Sequence, residues 1–174
     1  MRLQATCYRA HHPKWSFRPL SGDGAAVHGG RFNPKRIPAL YLALSIETAI
    51  REASREYAFK IHPCVLCCYD VNCADIADLR TDEGRSGHGV ALADISCAWH
   101  SDVRERREPA SWQLARRLIA RGIAGILVPS FTPGATHSDH NLVLWDWSER
   151  PPHQVTVFDP SGRLPRNQLS WDER

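Results

Sequence analysis

The chain predicts an α+β fold in a single domain, with a mixed, mostly antiparallel sheet and a few helices, and three observations carry that prediction. Its 174 residues suit one core, since domains usually run roughly 100–200 residues. Short apolar or alternating stretches, the mark of strands, outnumber the 3.6-periodic stretches that mark helices. Only two connections read as helical, too few for the regular strand–helix alternation of a doubly wound sheet, whereas antiparallel neighbours need only turns.

The first strand is "TCYRA" at 6–10. A loop rich in Pro, Gly and His follows, reaching about Gly30. Connections beyond about 12–15 residues are generally functional or mobile, so this loop is expected to line a site. "ALYLAL" at 39–44, preceded by Pro38, is a continuous apolar run and reads as a buried strand. Ser45 then caps a helix whose apolar stripe is Ile46, Ala49, Ile50, Ala53 and Tyr57, the i, i+3, i+4, i+7, i+11 pattern. Glu47 suits its first turn, at the positive end of the helix dipole. At 100° per residue Glu56 lies roughly 80° and Glu52 roughly 120° from the stripe centre, so both border a cleft beside it and periodicity does not choose between them.

"HPCVLCCYDV" is the next strand, and "CADIADLRTDEGRSGHG" reads as a polar excursion. "SWQLARRLIARG" is the second helix, with Ser111 as N-cap, Leu114, Ala115, Leu118 and Ile119 as its apolar face, and Gly122 ending it. "IAGILVPS", "HNLVLWDW" and "QVTVFD" complete the strands. The domain is expected to span 1–159, with a mobile tail over 160–174.

Composition narrows the function classes. A net charge of +3 with no uninterrupted basic patch argues against direct nucleic-acid binding, and no apolar run approaches the roughly 18 residues of a membrane span. Nothing in "MRLQATCYRAHH" directs export, so a cytoplasmic protein is expected. Four of the six cysteines crowd into "CVLCCYDVNC". Strand alternation divides them between faces, Cys64 and Cys68 on one and Cys67 and Cys73 on the other, which favours packing over a zinc site. His137, Asp139 and His140 are split in the same way, so a metal there is not expected. The glycine clusters "SGDG" and "GRSGHG" follow no clear strand and do not fit a phosphate loop.

Five further pieces stand in order: "YRA" at 8–10, "GGRFN" at 29–33, "LYLALSIETAIRE" at 40–52, "GILVPS" at 125–130 and "HNLVLW" at 140–145. Together they resemble the RES-domain toxin family, named for an arginine, a glutamate and a serine, over roughly residues 5–158. One departure is Phe32, where many relatives carry tryptophan. The resemblance implies an ADP-ribosyltransferase-like fold and an NAD-consuming toxin held inactive by a cognate antitoxin. It assigns the named three to Arg31, Glu52 and Ser130, and further pocket positions to Arg9 and Tyr41.

The chemistry of NAD asks for such groups on its own account. A guanidinium grips a pyrophosphate through paired hydrogen bonds, the role expected of Arg31 and Arg9. Gly29 and Gly30 allow the backbone to bring Arg31 close. Breaking the nicotinamide–ribose bond builds oxocarbenium-like positive charge, which a carboxylate stabilises; Glu52 is the expected one. Tyr41 offers a flat face to nicotinamide, Ser130 a hydrogen bond to the amide or a ribose oxygen, and no metal is required. Each residue also has a plainer role open to it: Arg31 in a surface ion pair, Tyr41 in the core, Ser130 in a turn, Glu52 on a solvated helix face. The leading expectation is transfer of ADP-ribose to a protein acceptor. Hydrolysis or phosphorolysis of NAD, and a non-catalytic interaction domain, stay as alternatives.

Overall fold

The computed structural model describes residues 1–54 and 63–169. Seven strands form one sheet: β1 (Leu3–His11), β2 (Leu40–Ala43), β3 (Val65–Cys73), β4 (Ile76–Asp78), β5 (Gly125–Pro129), β6 (His140–Leu144) and β7 (His153–Val157), in the spatial order β4-β5-β6-β2-β1-β3-β7. Every adjacent pair is antiparallel except β4 and β5. The mixed, mostly antiparallel sheet is therefore the one expected.

Alternation decides what each face buries. In β3, Cys67, Tyr69, Val71 and Cys73 point inward, while Cys68 is half-buried and Cys64 is exposed just before the strand. Register sets Cys7 opposite Tyr69 and Leu3 opposite Cys73. Burial pushes the Cys7 thiol up to about 12 and the Cys73 thiol up to about 11, so both stay protonated and pack as small hydrophobes. These side chains join Leu40, Leu42, Leu127, Leu142 and Leu144 in one core. On the opposite face Ile126, Val128 and Val143 pack against Leu114, Ala115 and Leu118 of a long helix, Ala110–Ala120, in a second core.

The helices depart from expectation where they are short. The loop before Gly30 holds a 3-10 turn, Pro13–Trp15, and a six-residue helix α1 (Asp23–His28) with no buried residue; without a buried face it leaves no apolar period in the sequence. Three consecutive carbonyls fasten this loop to the sheet. Pro19 accepts from Tyr69 Oη at 3.0 Å, Leu20 from Trp147 Nε1 at 3.0 Å and Ser21 from Arg9 Nη1 at 3.3 Å. The "polar excursion" over 73–89 contains β4 and a helix, α3 (Asp82–Gly87), and the stretch after it, for which no element was expected, holds α4 (Leu92–Ser96) and α5 (Trp99–Arg104), leading into α6, the Ala110–Ala120 helix. Elements of three to six residues are too brief for periodicity to show.

Helix α2 (Ile46–Ala53) follows β2 directly, and Ser45 caps it by accepting from the Thr48 amide at 3.1 Å. Its buried residues are Thr48 and Ala49, whereas Ile46 and Ala53 are exposed. The expected stripe is thus rotated, because the Thr48 hydroxyl is drawn inward to donate to Asp139. Glu56 and Tyr57, the rest of the expected helix pattern, lie outside the described residues. Ser111 is not the cap of α6 but its second residue, behind Pro109. In the segment expected to be a tail, Leu164 packs against the first core and its amide donates to Asp159 at 3.0 Å. Among the described residues no helix is long and apolar enough to cross a membrane.

Candidate functional site

β1 and β2 pair at one position, Tyr8 opposite Ala43. A cavity of about 680 Å³ lies there, lined by Tyr8, Arg9 and Ala10 from one strand and Tyr41, Leu42 and Ala43 from the other. That volume falls within the range of small-molecule sites, roughly 300–1,000 Å³. α1 contributes Gly24 and Ala25, the 29–32 turn contributes Arg31, α2 contributes Glu52, and β6 contributes Asn141. Four of the five expected site residues, Arg9, Arg31, Tyr41 and Glu52, therefore meet in one cavity. The fifth, Ser130, lies between two lining residues, Pro129 and Phe131, and bonds Glu52.

The turn that carries Arg31 is fastened along its whole length. The carbonyl of Gly30 accepts from Trp112 Nε1 at 2.8 Å, that of Arg31 from Ser111 Oγ at 2.5 Å, that of Phe32 from Trp145 Nε1 at 2.9 Å and that of Asn33 from the Gly30 amide at 2.9 Å. Tyr41 Oη donates to Asn33 Oδ1 at 2.7 Å and accepts from the Phe32 amide at 3.0 Å. The Asn33 amide group in turn donates to the carbonyls of Ala25 and Ile37 at 2.8 and 2.9 Å. Saturating the backbone in this way holds the arginine without help from a ligand. Its Nη1 donates to the Cys97 carbonyl at 2.8 Å, and its guanidinium carbon sits 4.7 Å from the centre of the Phe131 ring. Phe32 is buried in the second core, tilted against Phe131.

Gly30 is required by close approach. A Cβ there would lie 2.5 Å from Tyr41 Oη and 2.7 Å from Asn33 Oδ1, breaking the bond between them. Gly30→Ala is expected to lower the melting temperature and weaken ligand binding together, since both depend on that bond. Calorimetry alongside a binding titration checks this, and a variant that melts and binds like wild type would contradict it.

Glu52 is held from one side. Ser130 Oγ donates to Oε1 at 2.7 Å and Asn141 Nδ2 donates to the same oxygen at 2.6 Å. Ser130, which does not line the cavity, thus orients the glutamate.

Asp139 ties the helix of Glu52 to the two donors. Its Oδ1 accepts from Thr48 Oγ1 and pairs with Arg51 Nη1, both at 2.6 Å, while Oδ2 accepts from the Thr136 amide at 2.7 Å. Its carbonyl accepts from the Ser130 amide at 2.7 Å. The Thr136 amide first, then the Thr48 hydroxyl, hold this carboxyl well below the usual carboxylate range. A depressed carboxyl stabilises the fold above its unfolded pKa, near 3.9, and loses that contribution as pH falls toward its folded value. Asp139→Asn is therefore expected to cost about 2 kcal/mol at neutral pH, or roughly 4–8 °C of melting temperature. The gap to wild type should narrow below pH 4. Thermal melts at pH 7 and pH 3 test this, and an unchanged gap would contradict it. With Asp139 so engaged, the "HSDH" segment serves as structure, and among the described residues no group of three or more His, Cys, Asp or Glu stands ready for a metal.

Arg9 is half-buried, and desolvation lowers its pKa. Next to it, burial and the arginine's charge push His11 down to about 3, so the imidazole bonded to Tyr69 is neutral. Sequence reasoning gave no site role to Asn141, Asn33, Ser111 or Phe131. For Asn141 a signal was present: alternation in "HNLVLW" places it on the face of Val143 and Trp145, a polar side chain at an inward position.

A model of the RES domain matches residues 6–167. Over 107 residues the chain is 34% identical to the NAD(+) phosphorylase MbcT of Mycobacterium bovis and to that of Mycobacterium tuberculosis. The match takes in 52% of this chain and 52% of each relative, so the chain spans about half the length of the curated relatives it matches. The fold is similar to that in the crystal structure of the M. tuberculosis MbcT–MbcA toxin–antitoxin complex, with a TM-score of 0.63 and 24% identity over 91% of this chain and 84% of that one.

Proposed function

The chain belongs to the RES domain family, and from that membership we propose that it is a toxin that cleaves NAD at the nicotinamide–ribose bond. The observation that carries the proposal is the doubly anchored Glu52 in the same cavity as Arg31 and Arg9. The two guanidiniums take the pyrophosphate. Glu52 faces the ribose carbon as the glycosidic bond lengthens and positive charge develops there. Tyr41 lends its ring to nicotinamide, its hydroxyl being spent on the Arg31 turn. Ser130 acts through Glu52 instead of touching the substrate.

Relatives named NAD(+) phosphorylase support phosphate as the acceptor over the protein side chain first expected. In that reaction the C1′–N bond breaks, its electron pair leaves with neutral nicotinamide, and a phosphate oxygen bonds C1′ to give ADP-ribose 1-phosphate. The likeness to a toxin in complex with its antitoxin supports a cognate antitoxin that covers the cavity or its mouth, and NAD as the substrate fits a cytoplasmic site of action.

The test is incubation of the purified chain with NAD, with and without phosphate. Phosphate-dependent nicotinamide release with formation of ADP-ribose 1-phosphate is expected. Free ADP-ribose at the same rate without phosphate would make the enzyme a hydrolase, label appearing on protein in a lysate would restore transfer, and unchanged NAD would leave a binding domain.

A further inference from the structure

We infer that Asn141 is a positioning residue for catalysis, fixing which oxygen of Glu52 meets the substrate; the inference rests on the NAD-cleaving reading above. Asn141 belongs to β6, paired on one side with Ala43 and on the other with Val128. It is therefore held by the sheet interior, where the backbone has little freedom to shift. Its Nδ2 reaches Glu52 Oε1 at 2.6 Å, and Ser130 Oγ reaches that same atom at 2.7 Å. Two donors on one carboxylate oxygen set both the position and the rotation of the group. No donor among the described residues reaches Oε2, which makes Oε2 the oxygen presented to the ribose.

The two anchors differ in kind. Ser130 follows the last residue of β5, and its hydroxyl also accepts from the Thr132 amide at 3.3 Å, so its aim depends on the turn beyond. Asn141 sits within a strand, is fixed by paired backbone on both flanks, and lines the cavity. Its planar amide holds the carboxylate from a residue that itself lines the cavity. Displacing a reacting group by about 1 Å costs on the order of 10²-fold in rate, and removing Asn141 leaves Glu52 on a single anchor free to swing about it.

The experiment uses the full chain and follows nicotinamide release. Wild type must release nicotinamide; if it does not, the NAD reading has failed and not this inference. Given an active wild type, Asn141→Ala is expected to lower kcat by about 10²-fold while KM for NAD stays within about threefold and the melting profile shows a folded protein. Asn141→Asp supplies the second readout. It sets a carboxyl against Glu52 at hydrogen-bond distance, where two carboxylates do not both ionise readily. With one proton shared between them the anchor is restored, and with both ionised it becomes a repulsion. That variant should gain an alkaline limb absent from wild type, its activity rising as pH falls through the upper apparent pKa of the pair. A role confined to packing would not create that limb. Wild-type kcat in Asn141→Ala, a loss that falls on KM alone, or an Asn141→Asp profile parallel to wild type would overturn the inference.

Discussion

Glu52→Gln is expected to lower the rate of nicotinamide release by about 10²–10⁴ while the protein stays folded. Catalysis by a positioned carboxyl group is typically of this size, and the substitution removes charge at the point where an oxocarbenium-like state develops it. Shape is preserved, so the bonds from Ser130 and Asn141 to the side-chain oxygen of residue 52 are retained in the glutamine. KM should change little, because the charge meets the transition state more than the ground state. Glu56→Gln is the control. Residue 56 lies outside the described residues, and the activity of this variant should stay close to wild type. Steady-state nicotinamide release from the two variants decides between them, and an active Glu52→Gln beside an inactive Glu56→Gln would reverse the assignment.

Arg31→Lys is expected to weaken NAD binding by more than tenfold although the charge is kept. The guanidinium is planar, presents paired donors, and stacks over Phe131 while it bonds the Cys97 carbonyl. An ammonium is a compact point charge that reproduces neither the fork nor the stacking. The turn beneath it is saturated by bonds to backbone that do not involve the guanidinium, so stability should hardly move. Isothermal titration with NAD, using the slow Glu52→Gln background to prevent turnover, measures the loss. Unaltered affinity would remove Arg31 from the pyrophosphate site.

What was legible beforehand follows from how each feature is encoded. The long strands β1 and β3 and the helix α6 announce themselves because burial repeats with a period over nine to eleven residues. The division of Cys67 and Cys73 from Cys64 and Cys68 came from alternation, while the burial of the first pair and the exposure of Cys64 did not. α1, α3, α4 and α5 did not show, since five or six residues span fewer than two turns. The stripe of α2 was misjudged because a threonine counts as polar in a periodicity, yet Thr48 is buried by its bond to Asp139. Arg31 and Glu52 were named through the family motif and the demands of NAD, and both line the cavity. Ser130 was named as a site residue, and its bond to Glu52 depends on the end of β5 and the start of β6 lying side by side, a pairing 11 residues apart in sequence between Pro129 and His140. Alternation marks Asn141 as a polar side chain at an inward position, but its partner Glu52 is 89 residues away, and no local pattern encodes that pairing.

The central claim is that NAD occupies the cavity between β1 and β2 with its nicotinamide ribose against Glu52. A crystal structure of the Glu52→Gln variant soaked with NAD tests it most directly. Intact NAD is expected, with the ribose C1′ beside residue 52, the pyrophosphate on Arg31 and Arg9, and the nicotinamide ring against Tyr41. NAD bound outside that cavity, or within it with the ribose turned away from residue 52, would contradict it.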